Sequence, residues 1–286
     1  MSVTIPVSYV DQFSATVHLL AEQKMSRLRK TVRIEPVVGE SFAVETVGGI
    51  DAANTVLELH GDTPLNNTPH ARRWGFMVDY DVADLIDKQS RVKLLITPDS
   101  IYVRRHAGTM GRSVDDEVLR ALENSAATGK TGTTLVALPA AQKIASGSVG
   151  LTVSKLIQAK EKLDASEVDD FIPRFFTVSA LQLRNLLEDD KVTSSDFNTV
   201  KALVRGEINE YLGFTFVHTE RMTKSGSDRL CYAYAMDAIS LGIASEPRSI
   251  AAPRPDKRMA QQIYTYGTWG AVRVEDKMVV EIKCQE

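Results

Sequence analysis

Apolar residues recur at spacings of three and four along one stretch of the chain, through Val103, Ala107, Met110, Val114, Val118 and Ala121. That spacing lays a single stripe along a helix predicted over 97–126. Thr97 supplies a capping hydroxyl, Pro98 the φ favoured in a first turn, and Asp99 a negative charge against the N-terminal dipole. At 1.5 Å per residue the helix is about 45 Å long, against a mean of about a dozen residues in globular proteins. A helix of that length with one narrow stripe is a beam, laid across a sheet or a neighbour.

The pattern ahead of this helix is different. Phe42–Val47 and Thr55–His60 read as strands, Pro64 and Pro69 bracket a polar Asn66-Asn67-Thr68 tip, and Arg72–Tyr80 runs back as a strand. Such a hairpin has too few apolar residues for a core of its own, and isolated two-stranded ribbons are marginal in water, so it leans on a partner. Asp79, Asp81, Asp84 and Asp87 then read as the solvated start of a helix. They lack the glycine turn and terminal glutamate of a calcium loop. Residues 1–10 have the composition of an arm ordered by contact with something else. Ser8 with Asp11 opens a helix whose inner face carries Phe13, Val17, Leu20 and Leu28. The basic cluster Lys24, Arg27, Arg29, Lys30 and Arg33 closes it, either as cations suited to a helix C-terminus or as a basic arm clipped onto an acidic neighbour.

Beyond the long helix, Gly129-Lys130-Thr131 imitates the end of a phosphate-binding loop. The glycine that such a loop needs five residues earlier is Asn124, and a strand-like Leu135–Pro139 follows instead of a helix, so a flexible turn is expected. Thr152 opens a helix with Val153, Leu156, Ile157 and Leu163 inward. Arg174–Val178 reads as a buried strand, and helices follow at Ser179–Asp190 and Ser194–Val204. Phe214–His218 and Leu230–Met236 are strands, Ile250–Pro255 a proline-bearing loop, and Gly270–Val274 and Met278–Cys284 the closing strands.

Net charge of −3 argues against a surface built to neutralise nucleic-acid phosphates. No run reaches the roughly 18 apolar residues of a membrane span, and the N-terminus lacks the pattern of a secretory signal. Cys231 and Cys284 sit in apolar strand-like runs and read as buried thiols. The five histidines are scattered singly, and no nucleophile elbow, dinucleotide fingerprint or metal spacing occurs. The expectation is therefore no enzyme, no metal and no cofactor.

Several phrases occur together and in order: Met110-Gly-Arg-Ser-Val-Asp115, Gly150-Leu-Thr152, Arg174-Phe-Phe, Leu186-Leu-Glu-Asp-Asp190 with Thr193-Ser-Ser-Asp196, Val204-Arg-Gly-Glu-Ile208 with Leu212-Gly-Phe-Thr-Phe216, and Ala271-Val-Arg273 with Val279-Val-Glu-Ile282. As an ordered set spanning essentially the whole chain they resemble the major capsid proteins of tailed bacteriophages, in particular a family common among podoviruses. The resemblance implies an α+β chain with the coat-protein fold named after phage Hong Kong ninety-seven. It implies an N-terminal arm over 1–35, an extended loop over 40–80 and a peripheral domain over 81–169 with its spine helix at 97–126. An axial domain over 170–260 and return strands of the peripheral domain over 261–286 complete the division.

The function implied is a virion structural protein that assembles in the host cytoplasm into pentamers and hexamers. These would tile an icosahedral head around double-stranded DNA, without sequence-specific binding and without a membrane. Partners implied are further copies of the chain and a portal protein, with a decoration protein as an optional addition. A separate scaffolding protein is expected too, because the chain leaves little length for a removable scaffolding domain. Contacts between copies would fall to Arg27, Arg29 and Lys30 of the arm and to His70, Arg72, Arg73 and Trp74 of the returning strand, with Arg72 and Arg73 facing carboxylates of a neighbour. The competing expectations are an encapsulin-like compartment of the same fold, and a soluble nucleotide-binding enzyme resting on Gly129-Lys130-Thr131.

Overall fold

The computed structural model of the chain describes residues 23, 25–48, 68–87, 98–188 and 210–286. The strand expected at 55–60, the loop tip, the helix expected at 194–204 and the start of the helix opening at Ser8 lie outside the described residues. Leu28, expected on that last helix, instead precedes a 3-10 turn at Arg29–Thr31, and Arg33 opens a strand. In chain order the strands begin with β1 (Arg33–Pro36), β2 (Ser41–Val47), β3 (His70–Phe76) and β4 (Val78–Ile86). The long helix α1 (Pro98–Glu123) follows, then β5 (Ala126–Thr128), β6 (Thr134–Val136), β7 (Lys143–Ile144) and helix α2 (Val153–Ala165). Next come β8 (Arg174–Val178), helix α3 (Ala180–Leu187), β9 (Glu210–Tyr211), β10 (Phe214–His218) and β11 (Lys224–Ser225). The chain closes with β12 (Asp228–Ala235), β13 (Ile239–Arg254), β14 (Ala260–Arg273) and β15 (Val279–Gln285).

These strands form three sheets, in the orders β1-β13-β14-β4, β2-β3-β5-β6 and β7-β15-β12-β8-β10-β9, with β11 paired to β12. The last sheet has a deeply buried core: Phe176, Phe214, Tyr232, Tyr234, Val280 and Ile282 are all at most 1% exposed. α2 packs against β15 and β7. Cys231 and Cys284 lie in this sheet as buried free thiols. A hydrogen bond with Cys284, and after it burial, hold the Cys231 thiol in its protonated form. A soluble thiol reagent is expected to reach neither residue until the chain unfolds, which absorbance during titration with denaturant checks.

Contacts divide the chain into two compact units, one made of the described residues up to Ser26 with 79–113 and 245–268, the other of 27–78, 114–244 and 269–286. The division expected from the sequence does not follow the sheets. Residues 239–254 belong to the four-stranded sheet with β14 and β4, and β15 sits beside β12 in the seven-stranded sheet.

Four expectations change for local reasons. α1 is 26 residues long, ending at Glu123 ahead of β5 and not at 126, and Met110, Val114 and Val118 are buried, but Ala107 is exposed and His106 is buried in its stead. His106 tolerates burial because both ring nitrogens have partners, Nδ1 with Thr265 Oγ1 at 3.1 Å and Nε2 with Asp84 Oδ2 at 2.8 Å. The segment carrying Asp79, Asp81 and Asp84 is the strand β4 and not a helix start. Its residues alternate, Tyr80, Val82, Asp84 and Ile86 being the less exposed set and Asp79, Asp81, Ala83 and Leu85 the more exposed one, as a half-buried strand requires. Ile250–Pro255 is no loop through Arg254 but the far end of β13. β1 pairs only with Ser240–Ile243, so beyond that point β13 is an edge among the described residues, the kind of strand in which proline is tolerated. In α2, Ile157 is exposed and Lys155 is buried. The Lys155 ammonium donates to the carbonyls of Ser146, Val149 and Lys283, each at 2.8 Å.

Candidate functional site

The returning strand β3 is held on both sides. It pairs with β2 from Ser41↔Phe76 to Val47↔His70, and with β5 through Arg73↔Thr128 and Trp74↔Ala127. The root of the hairpin therefore leans on the chain's own β5–β6 ribbon. Trp74 Nε1 donates to the Gly129 carbonyl at 2.8 Å. A Cβ on Gly132, whose φ is +73°, would lie 2.9 Å from Trp74 Cγ. Gly129-Lys130-Thr131 is thus the turn of a β-hairpin seated on an indole, with a strand after it and not a helix. Gly132→Ala is expected to destabilise the chain by about 1–3 kcal/mol, from a left-handed backbone and a clash together. Urea unfolding checks this.

The cations of β3 find partners within the chain. Arg72 pairs with Glu45 across the hairpin and its guanidinium lies 5.7 Å from the Trp74 ring centroid. Both side chains are largely exposed, so the ion pair is worth about 0–1 kcal/mol. Arg73 is more buried, and its Nη2 donates to Asp276 Oδ2 at 2.7 Å. The other oxygen of Asp276 accepts from Arg273 Nε at 2.6 Å. Arg273 has no exposed surface. Its Nη1 reaches the carbonyls of Leu122 at 3.2 Å and Asn124 at 2.7 Å, and its Nη2 that of Val136 at 3.1 Å. A cation at the C-terminus of α1 suits both the orphan carbonyls and the helix dipole. Asp276 thus ties the hairpin root, the end of α1 and β14 through one carboxylate. Arg73 Nη1 is buried with no hydrogen-bond partner among the described residues.

Beside this tie lies an open cleft of about 240 Å³, lined by Trp74, Phe76, Val78, Glu117, Arg120 and Leu135 among others. Phe76 is 55% exposed and Leu135 is 68% exposed. A tryptophan, a phenylalanine and a leucine gathered at one mouth, with an Arg120–Glu117 ion pair on the wall, have the make-up of a protein contact: aromatic and apolar at the centre, charged at the rim.

The arm cations are placed separately. Arg27 donates through Nη1 to the His218 carbonyl at 2.6 Å and lies 3.0 Å from His218 Nδ1. Its backbone N–H and that of Leu28 donate to the fully buried Asp115 carboxylate at 2.9–3.1 Å. Arg29 is half-buried in a short 3-10 turn, while Lys30 and, on β3, His70 are exposed. Within the other unit, Gly111 is crossed by the arm so closely that a Cβ would lie 2.7 Å from Ser26 N, and Arg112 Nη1 donates to the Gln23 carbonyl at 2.8 Å. The Met110–Asp115 phrase is therefore the arm's seat, with Gly111 for the crossing, Arg112 for a carbonyl and Asp115 for two N–H groups. Asp115, Arg273 and Asp276 were not among the residues singled out as contacts. The signal for two of them was their place in the quoted phrases.

A 26-residue helix, a hairpin rooted beside its C-terminal end and an arm seated on its middle are parts of a coat-protein fold of the Hong Kong ninety-seven type. The capsid protein of cyanophage P-SCSP1u superimposes with a TM-score of 0.75 at 13% identity, covering 96% of this chain and 92% of that one. That of Ralstonia phage GP4 gives 0.74 at 10% identity, covering 96% and 94%, and that of cyanophage Pam1 gives 0.71 at 13% identity, covering 98% and 97%. None of the curated proteins compared with the chain matches it. Residues 5–286 match the family model described as phage capsid protein, and the chain belongs to that family. It is a structural protein of the phage capsid shell, and the shell is built by self-assembly of such subunits.

Proposed function

We propose that copies of this chain form the pentamers and hexamers of an icosahedral head that encloses phage double-stranded DNA, with no catalytic role. The observation that carries this reading is the family match over nearly the whole chain together with the hairpin root, which leaves an open apolar cleft at an otherwise well-packed junction. A head-to-tail contact repeated around an axis closes a ring, and rings tile a shell. On this reading the arm, about 1–35, and the loop, about 40–80, reach across to neighbours. Arg29, Lys30 and His70 supply exposed or half-exposed contacts, while Arg27, Arg72, Arg73 and Trp74 set how arm and loop leave the body. A scaffolding protein and a portal protein complete the particle, with a decoration protein as an optional addition, and assembly takes place in the host cytoplasm. A mildly acidic chain suits a container that packs DNA without gripping it.

The test is negative-stain electron microscopy with light scattering on the purified chain, alone and with its scaffolding partner. Closed particles or fivefold and sixfold rings are expected. A persistent 31.5 kDa monomer in both conditions overturns the reading.

A further inference from the structure

Phe171 is 94% exposed, the most exposed aromatic side chain among the described residues, yet its loop is firmly built. The Phe171 N–H donates to Asp169 Oδ1 at 3.0 Å, and the Ile172 N–H to the Asp169 carbonyl at 3.2 Å. Beneath them the buried guanidinium of Arg174 donates to Asp164 at 2.5 Å, to Asp170 at 2.8 Å and to the Val168 carbonyl at 2.9 Å. A phenylalanine displayed on a loop ordered in advance has already met most of the entropy cost of docking. Scattered exposed apolar residues need no explanation; a rigidly presented one is an anchor seeking a pocket.

We propose that Phe171 of one copy inserts into the hairpin-root cleft of the adjacent copy, between Trp74, Phe76 and Leu135. The proposal rests on the shell reading and names one of its contacts. Knob and cleft are different patches of one chain, so their pairing is head-to-tail and repeats into a closed ring. Their charges match. Around the phenylalanine Asp164, Asp169 and Asp170 outnumber their one cation Arg174, whereas at the cleft Arg72, Arg73, Arg120 and Arg273 outnumber their partners Glu45, Glu117 and Asp276. The knob is large and apolar, and the cleft offers two aromatic rings and an open mouth.

Phe171→Ala removes no intrachain contact of note, so it tests assembly without disturbing the fold. It is expected to raise the concentration needed for shell formation by about tenfold or more, the scale of an interface hot spot. The full chain carrying Phe171→Cys and Leu135→Cys, assembled and mildly oxidised, is expected to give a disulfide ladder ending at five and six rungs. Mixing the two single variants should yield linked dimers only, and the native thiols are buried and do not interfere. Shells that form normally without cross-links, or Phe171→Ala shells at the wild-type concentration, overturn the knob while leaving the shell reading intact. If Leu135→Cys is equally protected in shells with and without Phe171→Ala, another segment fills the cleft and the proposal falls. Failure of the wild-type chain to assemble under any condition overturns both.

Discussion

Asp276→Ala is expected to destabilise the unassembled chain by about 3–5 kcal/mol, because it strands one fully buried guanidinium and one nearly buried one that share a single carboxylate. Arg273 would keep its carbonyl partners at the end of α1 but lose its counter-charge. Asp276→Asn preserves shape and accepting oxygen and should fall between the variant and the wild type. Arg73→Met is the informative contrast. It leaves the Asp276–Arg273 pair in place, removes the unpartnered Arg73 Nη1 and exchanges the guanidinium for an apolar side chain, so its cost should stay below about 1.5 kcal/mol. Urea unfolding of all three, with assembly assayed separately, separates the two jobs of the site. Asp276→Ala should fail in both assays, whereas Arg73→Met should fold nearly normally and lose control of the hairpin root. Equal losses for Asp276→Ala and Arg73→Met would mean that Asp276 serves Arg73 alone and does not tie three elements together.

Elements with strong local patterns were legible in the sequence, and the ties between them were not. α1 was legible because its stripe and its start signal agree, as was α3, whose Ser179 hydroxyl caps Gln182 N at 3.3 Å as expected. β8 was legible as a short apolar run, β10 as an alternating one, and the Gly129–Thr131 turn by the absence of the surroundings a phosphate loop needs. Misreadings fell where a polar residue is buried by a partner far along the chain. His106 displaces Ala107 from the buried face only because Thr265, 159 residues away, and Asp84 satisfy it. Lys155 displaces Ile157 because three carbonyls, one from Lys283, converge on its ammonium. The contact cations show the same limit. Arg27, Arg72, Arg73 and Trp74 stood out by composition, but the partner of Arg73 lies 203 residues on and that of Arg27 191 residues on. Single-sequence pattern cannot place such partners, because period and propensity are local quantities.

The resemblance carried more of this long-range information than its short phrases suggest. Ala271-Val-Arg273 contains the cation that caps α1, and Met110–Asp115 contains each of the three residues that seat the arm. Arg174-Phe-Phe contains the buried guanidinium under the Phe171 loop. Each phrase is a place where one side chain satisfies backbone groups of a distant segment. Such residues tolerate few substitutions, because a lost partner leaves a buried polar group unpaired.

The arm's seat supplies the second large effect. Asp115 is fully buried and its carboxylate accepts the N–H groups of both Arg27 and Leu28. Asp115→Ala should cost about 2–5 kcal/mol, since two donors lose their acceptor and each unmet buried group costs about 1–3 kcal/mol. Asp115→Asn keeps one accepting oxygen but turns an N–H₂ toward the same donors, so it should recover less than half of that loss. The expected signature is local before it is global. Trypsin should cut at Arg27 and Arg29 in the variant while the seven-stranded sheet stays resistant, since Arg27 also loses the backbone anchor that aims its side chain at His218. Shell formation should fall with the same order, wild type above Asp115→Asn above Asp115→Ala, because a loosened arm must be reordered at every contact it makes. Trypsin resistance unchanged in Asp115→Ala would place the arm's hold elsewhere, on Leu28 packing and the Thr31–Tyr234 hydroxyl pair at 2.6 Å.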